Sequence, residues 1–123
     1  MNIVILSGHL SAEPRRTDLP SGDVLWSLDV TTPSADGARS VPVVWQGPLP
    51  AGTWAAGTEL VVAGACRRRF FRAGGTTQSR TEVVAASLVE RTRRRNEAAA
   101  LRAALRALGP DEAAALRSLS AAS

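Results

Sequence analysis

The sequence predicts a mainly β fold, a small five-stranded antiparallel barrel over residues 1–90, followed by an Arg-rich linker and helical segment over 91–123. Three observations point there. Apolar stretches of strand length recur with turn residues between them, and glycines fall in mid-strand. No helical pattern separates one strand from the next, which argues against an alternating α/β layout. After Glu90 the composition changes, and a basic run gives way to alanine and leucine.

The first strand runs from Asn2 to Leu10, where Ile3-Val4-Ile5-Leu6 leads to Gly8 at an expected bulge or bend. Glu13-Pro14 and Leu19-Pro20-Ser21-Gly22 bracket a polar loop. Asp23 to Thr31 alternates as a half-buried strand does, with Val24, Trp26, Leu28 and Val30 on the core side. Pro33 to Gly37 connects to a third strand, Arg39 to Trp45. Gly47 to Gly57 is irregular, with one helical turn around Trp54. Glu59 to Phe71 is a long fourth strand, bent at Gly64. Gly74-Gly75 closes a hairpin, and Ser79 to Val89 returns as the fifth strand. Asn96 caps a helix carrying Leu101, Leu105 and Leu108, which Gly109-Pro110 stops. Asp111-Glu112 opens a second short helix with Leu116 and Leu119.

A chain of 123 residues, 45% of them hydrophobic, has room for one cored domain and an appendage. The net charge is +4, and all the basic charge is arginine, which favours an acidic partner. A single cysteine, Cys66, excludes an intramolecular disulfide and a cysteine-built zinc site, and is expected as a small core residue. His9, the only histidine, has no partner at ligand or triad spacing. No nucleophile–base pair or phosphate-binding glycine loop is readable, so an enzyme and a cofactor are not expected. No leader peptide and no apolar run of about 18 residues is present, which reads as a soluble cytoplasmic protein with no membrane partner.

The densest functional signal is Arg67-Arg68-Arg69-Phe70-Phe71-Arg72, which holds both phenylalanines of the chain. On an extended strand Arg67, Arg69 and Phe71 share one face. Arg68, Phe70 and Arg72 share the other, continuous with Leu60, Val62, Gly64 and Cys66, so Phe70 is expected in the core. Cations beside a flat ring suit a polyanion whose bases stack, as in single-stranded nucleic acid. The competing reading is a solvated arginine edge beside one core Phe. Trp26 and Trp54 are expected to be structural.

The ordered motifs resemble the bacterial single-stranded DNA-binding protein family, whose domain is a five-stranded OB-fold. Asn2 to Leu10 is similar to its first strand, and Glu13-Pro14 with Pro20-Ser21-Gly22 to its first loop. Val41 to Gly47 resembles its third strand, Gly57 to Gly64 its fourth and Thr81-Glu82-Val83-Val84 its fifth. The resemblance covers residues 1 to 89. It implies a non-specific single-stranded DNA binder of replication, repair or recombination, associated with the nucleoid and acting as a homo-oligomer, a tetramer or dimer. It also implies stacking on Trp45 and Phe71, which stand where the family's third and fourth strands end in an aromatic. Arg67 and Arg69 are then expected on phosphates. Arg39, on the parity of Trp45, and Arg72 and Arg80, at the hairpin tip, are further candidates.

Three departures qualify the resemblance. The connection between the second and third strands is short and lacks a tryptophan. Thr17-Asp18 replace an Arg–aromatic pair. The ending Ser118 to Ser123 has no acidic, aromatic-tipped tail, which leaves open whether replication or repair proteins are partners by that route. The lack of a tail leaves open an OB-fold accessory subunit, like the primosomal proteins, whose main role is protein contacts.

Overall fold

The computed structural model describes residues 1–50 and 52–109. It contains six strands, β1 (Val4–Leu10), β2 (Arg15–Asp18), β3 (Val24–Ser34), β4 (Gly37–Gln46), β5 (Glu59–Ala73) and β6 (Thr76–Glu90), and then helix α1 (Glu97–Leu105). They form one sheet of order β1-β5-β6-β4-β3-β2. β1 also pairs with β3 through His9–Thr31 and Leu10–Val30, which brings the sheet round into a ring. Among the described residues the only parallel pairing is β4 with β6, at Val43–Val83 and Val44–Val84.

The ring has one more strand than expected. Arg15–Asp18, read as loop, pairs antiparallel with Ser27 to Val24. All four of its residues are exposed, so it has no apolar alternation to announce it. The stretch before β5 contains no helical turn at Trp54. A turn follows it, closed by Thr58 N–H to the Ala55 carbonyl at 3.2 Å, while Trp54 itself is buried as expected.

Alternation along the strands fills the ring's interior. Leu10, Leu28, Val30, Val43, Leu60 and Val62 are each at most 2% exposed. Burial of each such side chain contributes about 1.5–3 kcal/mol. Glycine is required at two points of close approach: a Cβ on Gly8 would lie 2.1 Å from the Thr31 carbonyl oxygen, and one on Gly64 equally close to that of Val84. Beside Gly64 the β5–β6 register shifts, Ala63 facing Ser87 and Gly64 facing Ala85, so that Ala86 is an extra residue.

Outside the ring, α1 covers the opposite face of β5 and β6. Ala100 and Ala104 are fully buried against Val61 and Ala63, small side chains that let helix and sheet approach closely. Asn96 caps the helix, its side chain accepting from Ala99 N–H at 3.0 Å. Ser87 Oγ donates to the Ala104 carbonyl at 3.0 Å, and Ser7 Oγ to Glu97 at 2.8 Å. Leu101 and Leu108 add partly buried contacts, although Leu108 lies past the end of the helix. The second expected helix, from Asp111, lies outside the described residues. Among the described residues no helix is long and apolar enough to cross a membrane, and no cluster of three metal-ligating side chains occurs.

Candidate nucleic-acid interface

β5 and β6 are each 15 residues long, more than the ring uses. β5 pairs with β1 only through Glu59–Gly64, and β6 with β4 only at Val83 and Val84. Beyond the Cys66–Val83 pair, residues 67–73 and 76–82 pair only with each other among the described residues. They form a two-stranded arm closed by Gly74 and Gly75, at φ +59° and +81°, a left-handed turn that glycine adopts without strain. From Arg67 to Thr81 the arm carries five arginines and no acidic residue.

Four of the seven expected site residues meet on one face of this arm. Arg67 faces Glu82, Arg69 faces Arg80, and Phe71 faces Gln78. The Arg69 guanidinium lies over the Phe71 ring, 5.9 Å from its centroid. This cation–π contact orients the half-buried ring and holds charge beside it. Arg80 reaches toward Asp29 only at 4.0 Å, and Arg15 approaches the same carboxylate at 3.8 Å. Contacts that long and that exposed contribute little, and they leave both cations available.

Arg67 is differently placed. Its Nη2 donates to Oε1 of Glu82 at 2.6 Å, and the Glu82 side chain is only 2% exposed. A buried carboxylate needs that partner, so Arg67 is first a structural cation, with half of its side chain still facing solvent. Arg72 lies on the opposite face and donates to the Gly75 carbonyl at 3.2 Å, bracing the tip. Arg39 stands on β4 near the β3–β4 turn, 3.7 Å from Asp36.

Trp45 is not on the arm. It shares the core-facing side of β4 with Val41 and Val43, packs half-buried against the core, and pairs across the strands with Trp26. Its indole N–H donates to the Pro48 carbonyl at 3.0 Å. Trp45 and Phe71 therefore belong to different parts of the surface, one at the ring and one on its arm. Trp26, expected in the core, is partly buried against it, with its own indole nitrogen unpartnered.

Two expectations for β5 are corrected. Phe70 was expected in the core and is 66% exposed, and Cys66 was expected buried and is exposed. The parity is as read, since Cys66 pairs with the core residue Val83, but the arm carries that face beyond the ring, where Phe70 stands exposed among the described residues. The sequence held a signal for this. Arg68 and Arg72 flank Phe70 on its own face, and a core does not continue between two arginines. Arg68, absent from the expected set, belongs to this second basic face.

The arm thus presents guanidinium groups and rings on a scaffold of backbone hydrogen bonds. The chain matches no protein-family model and no curated protein.

Proposed function

We propose that the chain is an OB-fold barrel that binds single-stranded DNA without strong sequence preference, using the β5–β6 arm as its main contact surface. The carrying observation is the arm itself: five arginines, two phenylalanines and no carboxylate between Arg67 and Thr81. Arginine supplies salt-sensitive attraction to phosphates, and each exposed ring supplies a sequence-tolerant stacking platform. A ring-shaped sheet of mixed pairing with one long hairpin supports the OB-fold reading. Arg69, Arg80 and Phe71 form the primary contact set, with Arg67, Arg72 and Arg39 at its margins and Trp45 at the ring. Replication, repair or recombination is the setting that this binding mode fits.

Self-association belongs to the same reading. Over Val4–Gly8, β1 pairs only with β5 among the described residues, and Ile5 is 38% exposed, so one strand edge is open to a second copy.

Fluorescence titration with oligo-dT tests the binding. The anisotropy of labelled oligo-dT reports binding on the arm, which carries no tryptophan, and affinity should fall steeply as salt rises. Absence of binding at low salt sinks the proposal.

A further inference from the structure

We infer that the arm takes single-stranded DNA on both of its faces, with Phe70 as a second stacking ring on the side opposite Phe71. The inference rests on the binding reading above and adds a contact that the reading does not need.

Phe70 is the most exposed aromatic among the described residues, at 66%. A phenylalanine ring offers 150–250 Å² of apolar surface, by the general range of about that size, and leaving it in water forgoes a large stabilisation. Its surroundings show what would cover it. Arg68 and Arg72 stand two residues to either side on the same face, about 6.8 Å away along the strand by ordinary strand geometry. Across the arm, Thr81, Ser79 and Thr77 face Arg68, Phe70 and Arg72. These small hydroxyl side chains leave the ring open and offer hydrogen bonds to phosphate or sugar.

A protein-docking patch is built differently. Its centre is depleted in charge and its ring has apolar neighbours. Here the ring sits between two cations with no other large apolar group on the face, a pattern that fits a base stacked between two phosphates.

Adjacent residues of a strand point to opposite faces, so one straight track cannot touch both Phe70 and Phe71. A strand that reaches both must turn round an edge of the arm or its tip. Both edges are unpaired among the described residues, and the tip residues Gly74 and Gly75 carry no side chains to obstruct the passage. The occluded length of DNA is then set by two faces.

The test uses the full chain and long oligo-dT, comparing wild type with Phe70→Ala, Phe71→Ala and Phe70→Trp, each first checked for folding by circular dichroism. Expected are a roughly 5- to 100-fold loss of affinity for Phe70→Ala and a shorter occluded site. The double Phe70→Ala/Phe71→Ala variant should show the product of the two single losses. For Phe70→Trp, affinity should be retained and the added indole quenched by DNA beyond the wild-type signal. Wild-type affinity and site size in Phe70→Ala, with no added quenching in Phe70→Trp, would overturn the second face and leave the binding reading intact. Failure of the wild type to bind oligo-dT overturns both.

Discussion

Arg67 holds the carboxylate of Glu82 at 2.6 Å across the β5–β6 ladder, and that carboxylate is almost wholly shut off from water. The pair sits at the root of the arm, one step beyond Cys66–Val83, where Val83 is the last core residue of β6 toward the tip. An arginine chosen by its place in a basic run is therefore also the counter-charge of a buried acid. Arg67→Ala should destabilise the fold by roughly 3 kcal/mol, because it strands Glu82 without a partner. Adding Glu82→Gln should recover part of that loss. Urea denaturation of the two single variants and the double variant measures the coupling, and a cost no larger than that of Arg69→Ala would refute it.

Arg69 and Arg80 stand directly opposite one another on the exposed face. Like charges in that position repel, by about 0.2–1 kcal/mol. Removing either, as Arg69→Ser or Arg80→Ser, should leave stability unchanged or slightly raised. The same substitution should weaken DNA binding and lower the slope of log K against log salt by about 0.7. Stability and binding moving in opposite directions would separate these two residues from Arg67.

Phe71 and Trp45 should respond differently to truncation. Trp45 packs on the core and bonds to Pro48, so Trp45→Ala should cost about 2 kcal/mol of stability, less than a fully buried indole. Phe71→Ala should leave the melting temperature nearly unchanged and cost roughly 1–3 kcal/mol in oligo-dT affinity. Thermal melts and titrations on the same samples compare the two.

Gly64→Ala should be among the most damaging single changes. Its Cβ would sit 2.1 Å from the Val84 carbonyl oxygen, backbone that cannot step aside without moving the strand. A loss of roughly 3 kcal/mol or more is expected from forced overpacking. Gly75→Ala meets no neighbouring atom within 4 Å and suffers only its φ of +81°, so about 1 kcal/mol is expected. Equal losses at the two sites would contradict this account.

Helix α1 should loosen from its ends. Asn96→Ala removes the bond to Ala99 N–H, and about 1 kcal/mol is expected. Ser87→Ala removes one donor from the buried Ala104 carbonyl, which still accepts from Ala107 N–H, and a cost of about 1 kcal/mol is expected. Hydrogen exchange at the helix amides should rise in both variants.

Strands with a clear two-residue alternation were legible from sequence. Val24 to Val30 reads as half-buried and is so, and Asn96 reads as a cap and is one. What escaped depends on relationships that local pattern does not carry. β2 is polar on both faces and exists because β3 offers an edge. The Arg67–Glu82 pair joins residues 15 apart, and only the hairpin register brings them together. Phe70 was assigned the right face and the wrong environment, because alternation gives direction and not how far the core extends. The basic run was visible at once. Which of its arginines are occupied required the ladder.

The extra residue at Ala86 works as a parity switch. Val83 and Leu88 are an odd number of positions apart, so an uninterrupted strand would send them to opposite sides, yet both lie in the core at 3% and 4% exposure. The insertion resets the count midway along β6, so two incompatible alternations share one strand. Threading Ala86 into a regular ladder instead of bulging it out would leave the composition untouched while inverting everything from Thr76 to Ala85 relative to the ring. Val83 would turn to solvent and Glu82 toward the interior. The chemistry of the arm is thus written in its side chains, but the side on which it is displayed depends on one residue being bulged out of the ladder some distance away.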